Sequence, residues 1–186
     1  PMALSIVGIA IFAIFAAKVM SIIGRRAGFI LASVVSSLSS LLAAYSIVNE
    51  SFILFNFSCF LLGAGVAFSH QYRFAAVETV KKDMAPKAIS IILLAGIGSA
   101  FIGPNVANVT KDIIAEHLYA GSYIALAALT LTSTIFLLFY EDGHKPNRDN
   151  KKIKRSYLEL ISQPRFLQAL VASAFAYAVM SFLMTA

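Results

Sequence analysis

The residues able to do chemistry in this chain are few, and each stands in apolar surroundings. Asn56, Cys59, Gly63, Ala67 and His70 follow three- and four-residue steps through FNFSCFLLGAGVAFSH, so a helix would carry them on one face, polar at both ends and small between. Asn105 comes just after a Gly103-Pro104 step, and Tyr177 has Ser173 and Ser181 four residues to either side. An amide, an imidazole and a phenol so placed can hydrogen-bond a small polar ligand. They serve equally to satisfy a neighbouring helix, and Gly63 and Ala67 suit a packing strip. His70 also suits a neutral side chain at the level of lipid headgroups. Catalysis asks for more. The apolar stretches hold no Asp or Glu, no His-Glu-x-x-His, and nothing at ligand spacing from His144. The single cysteine, Cys59, leaves no intramolecular disulfide and no multi-cysteine metal site. We therefore expect no enzyme, no metal and no cofactor.

The elements that must hold these residues are long and apolar. Of 186 residues, 59% are hydrophobic and 13% charged, with mean hydropathy +0.81; a soluble domain carries about 25% charge. The net charge of +6 does not point to nucleic acid, because the basic residues sit between apolar runs rather than on one face. Six stretches reach the ~20 residues that cross a bilayer: Met2–Ile23, Ala27–Val48, Phe52–Ser69, Ala88–Thr110, Leu118–Tyr140 and Phe166–Ala186. The fourth has no charge, and Ala95, Ser99, Gly103 and Ala107 recur along it at every fourth residue. That spacing predicts a smooth helical face gripped by a partner, with a bend at Pro104, which lacks a backbone donor.

The connections sort by charge. Lys18, Arg25 and Arg26 flank the first, Arg73, Lys81, Lys82 and Lys87 the third, and seven more basic residues from Lys145 to Arg165 the fifth. Of the 15 basic residues this leaves Lys111 alone on the opposite side. Cytoplasmic loops carry the excess of Lys and Arg, so residues 24–26, 70–87 and 141–165 are expected in the cytoplasm of a multi-pass plasma-membrane protein. Residues 141–165 read as a linker. Tyr157, Leu158 and Ile161 at helical spacing allow its second half to lie on the anionic leaflet, and a plain solvated tether fits as well.

Three motifs carry a resemblance to the major facilitator superfamily of transporters. AKVMSIIGRR resembles that family's Gly-x-x-x-Asp-Arg-x-Gly-Arg-Arg loop. Gly24, Arg25 and Arg26 match, while Ala17, Ser21 and Ile22 stand at the first Gly, the Asp and the first Arg. CFLLGAG is similar to its Arg-x-x-x-Gly-x-Gly, with Gly63 and Gly65 matching and Cys59 in place of the arginine. SAFIGPNVAN resembles Gly-x-x-x-Gly-Pro-x-x-Gly-Gly through Gly103 and Pro104.

The resemblance implies an all-α integral membrane protein, six transmembrane helices out of a twelve-helix transporter built of two six-helix halves that rock about a site near the midplane. Residues 1–140 would be most of the first half without its first helix, residues 141–165 the linker between halves, and residues 166–186 the first helix of the second half. It implies secondary transport of a small solute, in a lipid bilayer and with the option of a coupling ion; a non-transporting receptor on the same scaffold is the alternative. Asn56, His70, Asn105 and Tyr177 are then the candidate solute contacts. Gly24, Arg25, Arg26, Gly63, Gly103 and Pro104 are the gating and packing positions. In the family a carboxylate after the fourth helix often pairs with the Arg-Arg turn, which makes Glu78 the expected partner of Arg25 or Arg26.

Overall fold

In the computed structural model of the chain, the described residues are 1–140 and 162–185. They form helices α1 (Met2–Ile23), α2 (Arg25–Val48), α3 (Phe52–Ser69), α4 (Tyr72–Thr79), α5 (Ala85–Thr110), α6 (Ala120–Leu138) and α7 (Pro164–Thr185), with a single 3₁₀ turn at Lys82–Met84 and no strand among them. The chain divides into two compact units, Pro1–Pro146 and Asn147–Ala186. The expected linker lies outside the described residues except for 162–165, and with it His144, Lys152, Tyr157, Leu158 and Ile161.

The ends of the helices follow from local chemistry. Gly24 alone separates α1 from α2; its φ of 89° is open to a residue without a Cβ, and its N–H donates to the Met20 carbonyl at 3.1 Å. Ser51 caps α3 by accepting from the Leu54 N–H at 3.4 Å. Pro86 sits in the first turn of α5, where its missing donor costs nothing. Residues 70–87, expected as an open loop, contain α4 instead. The Gln71 N–H donates to the Phe68 carbonyl, the chain turns without unwinding, and Ala75 packs into a core with Ala16, Met20, Phe29, Ala32 and Phe68.

The centre of the first unit is α2, which packs against α1, α3 and α6. Apart from Phe29 near its start, its buried face is made of glycine, serines and alanines: Ser33, Ser36, Ser37, Ser40 and Ser46 are all inside. Small residues let helix backbones approach in a lipid solvent that gives little hydrophobic drive to association. The hydroxyls then need partners. Ser36 and Ser40 donate to the carbonyls of Ala32 and Ser36 one turn back, both at 2.8 Å. Ser33 reaches across to α6, donating to the Thr130 carbonyl at 2.7 Å and meeting the Thr134 hydroxyl at 2.7 Å, and Ser37 donates to the Ala127 carbonyl at 3.2 Å. Among the described residues no buried side-chain polar atom lacks a partner, as hydrocarbon surroundings require.

Close contact between α1 and α3 rests on a pair of glycines. A Cβ on Gly63 would stand 2.5 Å from the Ser5 carbonyl oxygen and 2.8 Å from the Ile9 nitrogen, and one on Gly8 would run into the Phe60 carbonyl. By contrast α5 buries no residue. Ala95, Ser99 and Gly103 of its small-residue strip are exposed, and a Cβ on Gly103 would meet nothing within 4 Å. At Ala107 the strip meets a neighbour: the Ser122 hydroxyl of α6 donates to the Ala107 carbonyl at 2.7 Å. The helix runs without interruption through Pro104.

The outward faces of the first unit's helices are rich in hydrocarbon, with Ile14, Phe101 and Phe136 each more than 70% exposed, and on α7 of the second unit Phe175 is 70% exposed. Five helical segments among the described residues are long and apolar enough to cross a membrane, and α7, with 22 residues, has the length of a sixth.

Candidate functional site

Two places in the first unit bring distinctive groups together. At the end carrying the Gly24 turn, the Arg25 Nε and Nη2 donate to the two Glu78 carboxylate oxygens, each at 2.5 Å, and so tie α2 to α4. This is the pair expected from the sequence. Arg26 does different work and donates through Nη2 to the Leu138 carbonyl at the end of α6. Behind the pair, Phe29 stacks on Tyr72 at 4.3 Å between centroids and meets Tyr140 edge-on at 6.3 Å. Four helices therefore converge on one turn, and a guanidinium bound at two oxygens fixes their angle as a single contact would not.

At the other end, a cavity of about 540 Å³ opens between α2, α3, α5 and α6. Ile47, Phe55, Gly103, Ala107, Ser122 and Tyr123 are among its walls, and no lining residue is charged. Phe55 and Tyr123 meet at 5.6 Å with their rings nearly perpendicular, at 88°. The short 111–119 connection closes one side: the Tyr119 N–H donates to the Lys111 carbonyl at 3.0 Å, and Tyr119 takes the left-handed φ of 70° that lets α6 start beside the end of α5. Gly121 makes that approach possible, since a Cβ there would collide with the Thr110 carbonyl.

The four residues singled out as solute contacts are not gathered in this cavity. Asn56 and Asn105 each donate back to their own helix, to the Phe52 and Phe101 carbonyls at 2.8 and 2.7 Å. His70 is exposed in the turn between α3 and α4, and Tyr177 is exposed on α7 in the second unit. Of the packing positions, Gly63 faces α1, and Gly103 lines the cavity. Sequence reasoning passed over Phe55, Tyr119, Ser122 and Tyr123. Tyr119, Ser122 and Tyr123 lie at three- and four-residue steps at the head of an apolar run, a signal as good as the one that marked Asn56. Among the described residues no group of three His, Cys, Asp or Glu side chains could hold a metal ion.

A helical bundle with a hydrocarbon exterior, hydroxyl-lined helix contacts and an uncharged cavity is a multi-pass integral membrane protein. The chain belongs to the Major Facilitator Superfamily, whose family model matches residues 1–186. It is 32% identical over its whole length to the riboflavin transporter RfnT of Brucella anthropi, covering 47% of that protein. Two uncharacterized MFS-type transporters of Bacillus subtilis, YdeG and YddS, are 28% and 27% identical over 74% and 75% of the chain, which covers 33% of each. The chain thus spans about half or less of the length of the curated relatives it matches. No solved structure matches it.

Proposed function

We propose that the full-length protein is a secondary transporter that moves a small solute across the cytoplasmic membrane by alternating access, with riboflavin the solute to test first. The observation that carries this reading is the 32% identity to a riboflavin transporter along the entire chain. In this reading the basic connections at 24–26, 70–87 and 141–165 face the cytoplasm, and the Arg25–Glu78 pair holds the cytoplasmic ends of α2 and α4 at a fixed angle while the solute passes. Gly24 and Arg26 serve that same turn. Gly63 keeps α1 and α3 in register, and Gly103 with Pro104 marks the helix that moves. Asn56, His70, Asn105 and Tyr177 are solute contacts in states of the transport cycle that bring them to the path. No Asp or Glu lies in the apolar spans, so a carboxylate that binds a coupling ion would come from the rest of the protein.

The test is uptake of labelled riboflavin by riboflavin-requiring cells that lack their own uptake system and express the full-length protein. Saturable uptake above the empty-vector control is the expected result. Uptake equal to that control, with the protein present in the membrane, would remove riboflavin as the solute.

A further inference from the structure

We infer that the cavity between α2, α3, α5 and α6 is a binding site for an uncharged, planar aromatic ring; the inference rests on the transport reading above and names the part of the solute the cavity takes. Its volume of about 540 Å³ lies within the ~300–1,000 Å³ of small-molecule sites. Every lining side chain is neutral, and an ion moved there from water would find no countercharge. The bound group is therefore uncharged.

Its shape follows from the walls. Phe55 and Tyr123, perpendicular at 5.6 Å, allow a flat ring to stack on one while it meets the edge of the other, the two geometries that aromatic quadrupoles favour. On α5, Gly103 and Ala107 present little beyond backbone, and a Cβ on Gly103 would meet nothing within 4 Å, which suits a flat face lying along that helix. Polar groups are few and weakly directional. The Ser122 hydroxyl is already committed to the Ala107 carbonyl and the Tyr123 phenol is hydrogen-bonded with the Cys59 thiol, which leaves the Tyr119 phenol to meet the rim of a ring. A charged head or a chain of hydroxyls would lose more hydrogen bonds to water than this wall returns. A heteroaromatic ring keeps its edge polar and its faces apolar, and riboflavin carries such a ring on an uncharged polyol chain.

The experiment is a titration of riboflavin fluorescence quenching by the purified full-length protein, alongside flux into vesicles. Two substitutions fill the cavity from two different helices: Gly103→Leu on α5, whose side chain enters open space, and Leu126→Trp on α6. A third, Tyr123→Ala, removes a ring. Each variant that keeps the wild-type elution volume and melting temperature is expected to raise Kd at least tenfold. An unchanged Kd in either filling variant overturns the inference, because then a single helix face and not the cavity is involved. So does failure of the wild type to quench, or displacement of riboflavin by stoichiometric phospholipid, which would make the cavity an acyl-chain site. Wild-type flux equal to empty vesicles, with binding that the variants still weaken, would refute the transport reading and leave the ring site standing.

Discussion

Arg25 and Glu78 show how one ion pair can matter more for geometry than for stability. Their side chains are 23% and 48% exposed, and pairs of that kind contribute about 0–1 kcal/mol; the two-point contact nevertheless fixes an angle between helices. In a double-mutant cycle on transport rate, Arg25→Gln and Glu78→Gln are expected to be non-additive, whereas Arg26→Gln and Glu78→Gln are expected to add, because Arg26 is bonded to the Leu138 carbonyl. Additivity of the first combination would remove the pair from the mechanism. Two glycines make the complementary case. Gly63→Ala should lower stability by about 1–3 kcal/mol, because α1 backbone occupies the space its Cβ needs. Gly103→Ala should be neutral or stabilising by up to about 1 kcal/mol, the difference in helix propensity. Thermal unfolding of the full-length variants separates them. Both glycines stand in apolar runs at small-residue spacing, so the sequence showed that each could admit a neighbour. Only the structure showed that α1 comes to Gly63 and that nothing comes within 4 Å of a Cβ on Gly103.

Helices α2 and α6 are cross-linked by hydroxyl hydrogen bonds, and their contact should respond to single hydroxyl deletions. Ser33→Ala removes bonds to Thr130 and Thr134 and is expected to cost about 0.6–1.7 kcal/mol. Ser39→Ala, equally small and buried, removes only a bond to the Val35 carbonyl of its own helix and should cost less than about 0.5 kcal/mol. Equal losses in unfolding experiments would mean that the interhelical bonds are not what joins the pair. At this scale the order of the spans was legible, because an apolar run of ~20 residues has one economical structure in lipid. Bounds at α1 and α3 agreed with expectation for the same reason. The helix at 72–79 was not legible, since His70, Gln71 and Arg73 read as a return to water and the burial of Ala75 depends on residues from three other helices. Nor was the central place of α2: its serines announced close packing, but a run of small residues does not say which neighbours it will meet.

For the molecule as a whole, single experiments decide sidedness and transport. On a Cys59→Ser background, Lys111→Cys should react with an impermeant thiol reagent applied from outside and Lys82→Cys should not, following the distribution of basic residues. The reverse pattern would invert the bundle in the membrane. The charge pattern that yields this expectation is visible in one reading of the chain. The cavity was not, because it needs Ile47, Phe55, Gly103 and Tyr123, drawn from four helices whose arrangement no local pattern specifies. The most direct test of the central claim is counterflow: vesicles containing the full-length protein are loaded with unlabelled solute and diluted into a trace of label. A carrier that alternates between its two sides predicts a transient accumulation of label above the outside concentration. Label that rises no higher than simple equilibration, or no faster than in empty vesicles, would contradict it.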